Sequence, residues 1–426
     1  MRTMRRRRAL STGLAAAVLG LAGVRLRAQP AVPRVLVVGG GYAGATVAKY
    51  LRHFSRGRVD VVLVEPEPAF VSCPMSNHVL GGTRSLADVT LPYDALARTR
   101  GVRLVRDRVA RLDATRHEAL LASGARIDYA KAVLAPGVDM MWSEIEGLRD
   151  ANAAGRIVHA WHAGAETAIL RRQLLAMPDG GTFAISIPEA PYRCPPAPYE
   201  RACLVADWMR EARPRAKVLV LDANEEPTSE ATLFRQAWAE RYRGRLEYRP
   251  QHKATGVDAA SNTLRFEIQE DVRADVLNVL PPMRAGAVAV DAGLANANAR
   301  WCLVDFLSFE STAARDVHVL GDSIQIAPAM PKSGHMANSQ AKVAAAAIVA
   351  QLAGQPVDPA PMLTNTCYSF VDAERASHVV SVHGYLAAER TFRVVPGSSG
   401  SSAAPSAAEG LLAWGWARSI WADTLA

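Results

Sequence analysis

"PRVLVVGGGYAGATVAKYLRHF", residues 33–54, reads as a buried strand, a glycine turn and a helix. The turn has the spacing Gly39-x-Gly41-x-x-Gly44. A second strand, "VDVVLVEPEP", follows and ends in Glu65, 21 residues beyond Gly44. Glycine at these places allows a tight turn and lets backbone N–H groups approach a pyrophosphate at the helix N-terminus. An acidic residue at the end of the second strand suits ribose hydroxyls. A lone glycine pattern is a weak signal, whereas this complete strand–turn–helix–strand–acid unit is a strong one.

Working outward, "VRLVRDRVARLDA", "EALLASGARI" and "KAVLAPG" are further strand-like runs. Strands alternating with helices predict a parallel α/β sheet. A helical stretch at 164–180 precedes another strand, "TFAISI". A helix-like "ERACLVADWMREARP" and the strand "KVLVLDANEE" come next, so the unit is duplicated. "ADVLNVLPPMRA" and "VHVLGDSIQ" return to apolar strands, and "KVAAAAIVAQLAG" reads as a helix stopped by Gly354 and Pro356. The tail from about 356 differs. "LTNTCYSF" and "ASHVVSVHGYLAAERTFRVV" suggest a small antiparallel sheet, 396–407 a flexible loop or linker, and "LLAWGWARSIWADTL" a Trp-rich closing helix.

These runs divide the chain into a leader (1–28), a dinucleotide-binding domain (33–150 with 275–355), a second, similar unit (151–274) and a C-terminal domain (356–426). At 426 residues and half hydrophobic, the chain is long enough for two or three cores.

The net charge of +8 hints at a polyanion partner, but residues 1–28 hold seven arginines and no acid. Beyond them, 42 basic residues face 41 acidic ones, so no nucleic-acid partner is expected. The Arg5–Arg8 block and the apolar run Leu10–Val24 read as an export signal of twin-arginine type, which implies a periplasmic protein. An ordinary secretion signal or an uncleaved anchor fits the same residues. Past residue 30 nothing is long and apolar enough to span a bilayer. The five cysteines (73, 194, 203, 302, 367) have neither CxxC nor zinc-type spacing, so no metal site is expected.

The flavin signals come next. "AVLAPG" (132–137), ending in Gly137, and "VHVLGDS" (317–323), with Gly321 and Asp322, look like the elements that flavin reductases place around FAD. "MPKSGHMANSQAKVAAAA", with Lys332, starts a helix whose positive end suits a reduced flavin. In this order they resemble the two-dinucleotide flavoprotein oxidoreductases of the disulfide-reductase superfamily. The fold expected is α/β, with two Rossmann-like domains arranged as in glutathione reductase and a small C-terminal α+β domain. "VSCPMSNHVLGG", "PYRCPPAPYERA" and "TNTCYS" narrow the resemblance to the flavoprotein subunit of flavocytochrome c sulfide dehydrogenase.

That resemblance implies roles. Cys73 would tether FAD covalently by a thioether; without the resemblance it reads as a small buried hydrophobe. Cys194 and Cys367 would form a redox disulfide beside the flavin, or a structural one. Prolines on both sides of Cys194 suit a rigid, attackable loop. Glu200 would lie near the reacting sulfur as acid or base, although a solvated glutamate at a helix start is the other reading. Cys203 and Cys302 read as structural, and His78 and His335 as bystanders. The Cys194 loop also replaces a second glycine fingerprint, which argues against nicotinamide dinucleotide as electron partner.

The activity implied is oxidation of sulfide to sulfur or polysulfide, with electrons passing through FAD to a c-type cytochrome subunit. The chain has no CxxCH of its own to attach haem. Three rivals stand beside it: a membrane-associated sulfide:quinone reductase, an NAD-linked disulfide reductase, which the missing second fingerprint disfavours, and a flavoprotein that reactivates a sulfur-carrier protein.

Overall fold

The computed structural model describes residues 32–426; the leader reading lies outside the described residues. The opening strand, Arg34–Val38, sits within a seven-stranded sheet. Its order is Val304–Asp305, Glu310–Ser311, Val317–Val319, Lys131–Leu134, Arg34–Val38, Asp60–Val64 and Arg103–Val105. The last five are parallel, and the first two add an antiparallel edge. Val35, Leu36, Val37, Val61 and Leu63 are fully buried. A parallel sheet covered on both faces needs such unbroken apolar runs rather than alternation. The helices Tyr42–Phe54 and Gly334–Leu352 pack side by side, the second presenting buried Ala341, Ala344 and Ala345.

The second unit has a four-stranded sheet, ordered Leu246–Arg249, Lys217–Asp222, Thr182–Ile187 and Val276–Val279 and parallel throughout. The strand Val276–Val279 corrects one boundary, because residues from 275 were expected in the first domain. Leu277 and Val279 instead pack with Ala184, Leu219 and Leu221 in the second core, so the chain crosses back only after them. A second correction concerns 109–128. Those residues form an antiparallel meander, Val109–Asp113, Glu118–Leu121 and Arg126–Asp128, and add nothing to the parallel sheet. The second unit carries the same device at 254–273, so the duplication extends to the meanders.

The C-terminal sheet pairs Met362–Phe370 with Ala376–Leu386, and that strand in turn with Thr391–Val394. Residues 396–407 are not a free linker. Gly400 and Ser401 pair with Val380 and Val379, and the Ser402 hydroxyl lies 2.7 Å from the Glu409 carboxylate.

The closing helix, Ala407–Leu425, is docked by its last turn. Asp423 accepts hydrogen bonds from Tyr50 and Asn338 and pairs with Lys342 at 2.7 Å. Trp421 Nε1 donates to the Tyr42 hydroxyl at 3.0 Å. Among the described residues no helix is long and apolar enough to cross a membrane.

Candidate active site

The glycine turn fits a bound pyrophosphate. Gly39 has φ +94°, and a Cβ there would lie 2.5 Å from the Ala135 carbonyl oxygen. A Cβ on Gly44 would overlap the Gly39 carbonyl, so this glycine sets how closely helix and strand approach. A Cβ on Gly41 would meet nothing within 4 Å. That glycine caps the helix N-terminus and faces open space, where a phosphate can come close. Glu65 accepts the Gly40 N–H at 2.5 Å and the Glu67 N–H at 2.8 Å. A carboxylate has about four lone-pair sites, so two remain for ribose hydroxyls.

Gly137 (φ +71°) also opens onto free space, and the Gly321 N–H is held by Gln340 at 2.9 Å. Asp322 Oδ1 is buried with no hydrogen-bond partner among the described residues. A buried carboxylate oxygen is costly to leave unpaired, and a ribityl hydroxyl would satisfy it. These residues fit FAD.

Lys332 does not reach outward. Its ammonium donates to the Asp322 and Ile324 carbonyls at 2.8 and 2.7 Å and lies 3.6 Å from the centroid of the Trp301 ring. Burial pushes its pKa down to about 7, against the pull of Asp322. Lys332 therefore acts on the cleft by holding the Asp322 turn. Its own carbonyl accepts the Cys194 N–H at 2.8 Å, which joins that turn to the cysteine loop.

Cys194 sits at φ +57°, in the left-handed region that costs a non-glycine residue about 1–2 kcal/mol. All five cysteines are free thiols in the structure. Burial raises the Cys194 thiol well above its ordinary value; Cys367, Glu200 and Cys73 add to this and Arg193 opposes it. Three cysteines far apart in sequence thus share one electrostatic neighbourhood. Cys367 lies on Met362–Phe370, with its sulfur 3.5 Å from Asn365 Nδ2. Burial pushes its thiol up to about 11, eased by Asn365. The Cys73 sulfur lies 3.8 Å from the Trp161 carbonyl oxygen.

Glu200 is only 7% exposed, which removes the reading as a solvated glutamate. One carboxylate oxygen accepts Asn77 Nδ2 at 2.6 Å, and the other accepts the Phe370 N–H at 3.0 Å. Asn77 stands four residues after Cys73, and Phe370 three after Cys367. All three cysteine-bearing segments therefore meet on this carboxylate. Burial pushes its pKa up to about 7, against the two hydrogen bonds.

Sequence reasoning missed what holds the meeting point together. Arg201 is 3% exposed. It donates to Asn77 Oδ1 (3.0 Å), Asn278 Oδ1 (2.7 Å) and the His159 and Ala160 carbonyls (3.0 and 2.8 Å). Its guanidinium stacks 4.9 Å from the Trp161 ring centroid, and Trp161 Nε1 donates to the Arg193 carbonyl at 3.2 Å. The Arg201 partners come from three separate segments, around 77, 159–161 and 278, and no local pattern marks them.

Cys203 accepts Trp238 Nε1 at 3.3 Å in the core, and burial pushes buried Cys302 up to about 12. His78 is buried against Phe370, and burial lowers it to about 4. His335 Nδ1 accepts the Thr366 N–H at 2.9 Å, pinning the residue before Cys367.

Glycine cradle, unpaired Asp322 and a cysteine-lined neighbourhood define a flavin-dependent oxidoreductase. Residues 33–170 match the model of the pyridine nucleotide-disulphide oxidoreductase family. Residues 167–281 match the central region of the sulfide dehydrogenase [flavocytochrome c] flavoprotein chain, and residues 359–425 match the flavin-binding region of flavocytochrome c sulphide dehydrogenase.

A mitochondrial sulfide:quinone oxidoreductase of Dictyostelium discoideum is 24% identical over 77% of this chain and 73% of its own. The sulfide dehydrogenase flavoprotein chain of Chlorobaculum thiosulfatiphilum is 59% identical over 46 residues, which is 11% of this chain and 94% of that sequence. Among solved structures, the sulfide:quinone oxidoreductase of Aquifex aeolicus superposes with a TM-score of 0.75 at 18% identity. It covers 92% of this chain and 91% of its own. These likenesses agree with two dinucleotide-binding domains plus a C-terminal domain.

Proposed function

We propose that this chain is a periplasmic sulfide dehydrogenase that oxidises sulfide to sulfur or polysulfide and hands electrons to a c-type cytochrome. The observation that carries the reading is Glu200, where the segments of Cys73, Cys194 and Cys367 meet. The matches to flavocytochrome c sulfide dehydrogenase regions over 167–281 and 359–425 support it.

In its oxidised state, Cys194 and Cys367 are joined. Hydrosulfide attacks that disulfide: the S–S bond between the cysteines breaks, a new S–S bond to the incoming sulfur forms, and the other cysteine leaves as a thiolate. On this reading Cys367 is the thiolate. Glu200, with a pKa of about 7, holds the proton released when the persulfide ionises. Asn77 and Phe370 orient its carboxylate. The glycine turn, Glu65 and Asp322 would hold FAD, which would supply a two-electron acceptor for the reduced sulfurs and a one-electron donor to the cytochrome. A second sulfur nucleophile then removes the bound sulfur and restores the disulfide. Cys73 would hold the flavin through a thioether, which would prevent cofactor loss outside the cell.

One observation favours quinone as the acceptor instead. Leu411 and Leu412, near the start of the closing helix, are 76% and 60% exposed, and such a pair suits contact with a membrane surface.

Anaerobic mixing of the purified flavoprotein with sulfide, while following the yellow flavin band, tests the proposal. Rapid bleaching by sulfide, lost in Cys194→Ser and Cys367→Ser, is expected. Bleaching by NADH but not by sulfide would overturn it. Adding cytochrome c or a soluble quinone to the reduced protein then separates the two acceptors.

A further inference from the structure

The carboxyl end of the second sheet is where a second dinucleotide would lie. Asp222 ends the strand Lys217–Asp222, in register with Ile187, at the strand end where the first unit carries Glu65. Asp222 is fully buried, and its oxygens are taken. Oδ2 accepts the Tyr199 and Tyr248 hydroxyls at 2.7 and 3.0 Å. Oδ1 accepts the Asn224 N–H and side-chain amide at 3.0 and 2.7 Å. Two phenol hydroxyls stand where an acid at this strand end would take two ribose hydroxyls.

The bonds continue to the cysteine loop. The Tyr199 oxygen accepts the Thr228 N–H at 3.1 Å. The Tyr192 hydroxyl lies 2.6 Å from Thr228 Oγ1 and 3.2 Å from the Pro195 carbonyl. A carbonyl only accepts, so Tyr192 donates to Pro195 and Thr228 donates to Tyr192. Tyr192 precedes Cys194 by two residues and Pro195 follows it by one, so this bond closes around the cysteine. Cys194 has the left-handed backbone that only a well-determined surrounding maintains.

We propose that Tyr192 and Tyr199 are positioning residues for Cys194: the hydrogen-bond chain that starts at buried Asp222 and runs through Tyr199, Thr228 and Tyr192 to Pro195 holds the cysteine loop in its reactive shape, and Tyr248 only closes the far side of Asp222. The inference rests on the reading of Cys194 as a reacting sulfur, but its test requires no sulfide turnover. The holoprotein is reduced with a phosphine, freed of it and treated with iodoacetamide, and the alkylation rates of Cys194 and Cys367 are read separately by peptide mass spectrometry. Tyr192→Phe and Thr228→Val each remove one link to the loop. Tyr248→Phe, which touches Asp222 but not the loop, is the control for general loosening.

A change of threefold or more in the Cys194 rate, with Cys367 unchanged and Tyr248→Phe like the unmodified protein, is expected in both loop variants. An unchanged Cys194 rate in both, or equal changes at the two cysteines, overturns the inference. If Tyr192→Phe does not fold, Thr228→Val decides alone by the same criterion.

Discussion

Phe370 donates its backbone N–H to Glu200 across 3.0 Å, tying the C-terminal strand that bears Cys367 to the helix that follows Cys194. The carboxylate accepting this bond has its pKa raised to about 7 by burial. With a native pKa above the unfolded value, the folded state binds more protons, so stability falls as pH rises from about 4.5 through 7. The full effect is about 3 kcal/mol. In Glu200→Gln this part of the pH dependence should vanish, so urea midpoints of variant and parent should converge at pH 5 and separate, in favour of the variant, by pH 8. The rate of flavin reduction by sulfide should lose an inflection near neutrality in the same variant. Parallel rate profiles for the two proteins would argue against a proton-holding role.

Cys73 offers a direct chemical prediction. On acid precipitation the unmodified protein should retain yellow colour in the pellet, whereas Cys73→Ser should release its flavin to the supernatant. Colour in both supernatants would mean that no thioether forms.

The glycine turn separates packing from ligand approach. Gly44→Ala would overlap the Gly39 carbonyl and should cost about 2–3 kcal/mol of stability by overpacking, read from the thermal midpoint. Gly41→Ala enters open space and should change stability by less than about 1 kcal/mol. In the Cys73→Ser background, where flavin binding is reversible, it should weaken FAD binding by about tenfold or more, measured by fluorescence titration.

Arg201→Met keeps much of the side-chain volume but strands Asn77, Asn278 and two carbonyls in the interior. Each buried unpaired group costs about 1–3 kcal/mol, so a loss of about 3 kcal/mol or more is expected in urea unfolding. Because Asn77 loses the partner that fixes its amide, the Glu200 pH profile should shift as well. A stability loss with an unchanged profile would make Arg201 structural only.

Much of this architecture is legible in residues 33–65, because a parallel strand, its glycine turn and the following acid are set by neighbours close in sequence. The meanders at 109–128 and 254–273 were not legible as such, since short half-buried strands look alike until their partners are known. The boundary near 275 failed for a related reason: Val276–Val279 is an apolar run that suits either sheet, and only packing against Ala184 and Leu219 assigns it. Glu200 had two readings in sequence, solvated or near the reacting sulfur. Burial among Asn77, Phe370 and Arg201 removes the first.

By itself, the sequence determined the duplicated α/β plan, the dinucleotide cradle and which cysteines have distinctive neighbours, because each depends on spacing within a few dozen residues. Tertiary structure alone decided that Asn77, Glu200 and Phe370 meet, that Arg201 holds the loops behind them, and that Tyr199 and Tyr248 occupy Asp222. Those contacts join segments as many as 170 residues apart. Their strength comes from desolvation, which acts only once the chain has folded around them.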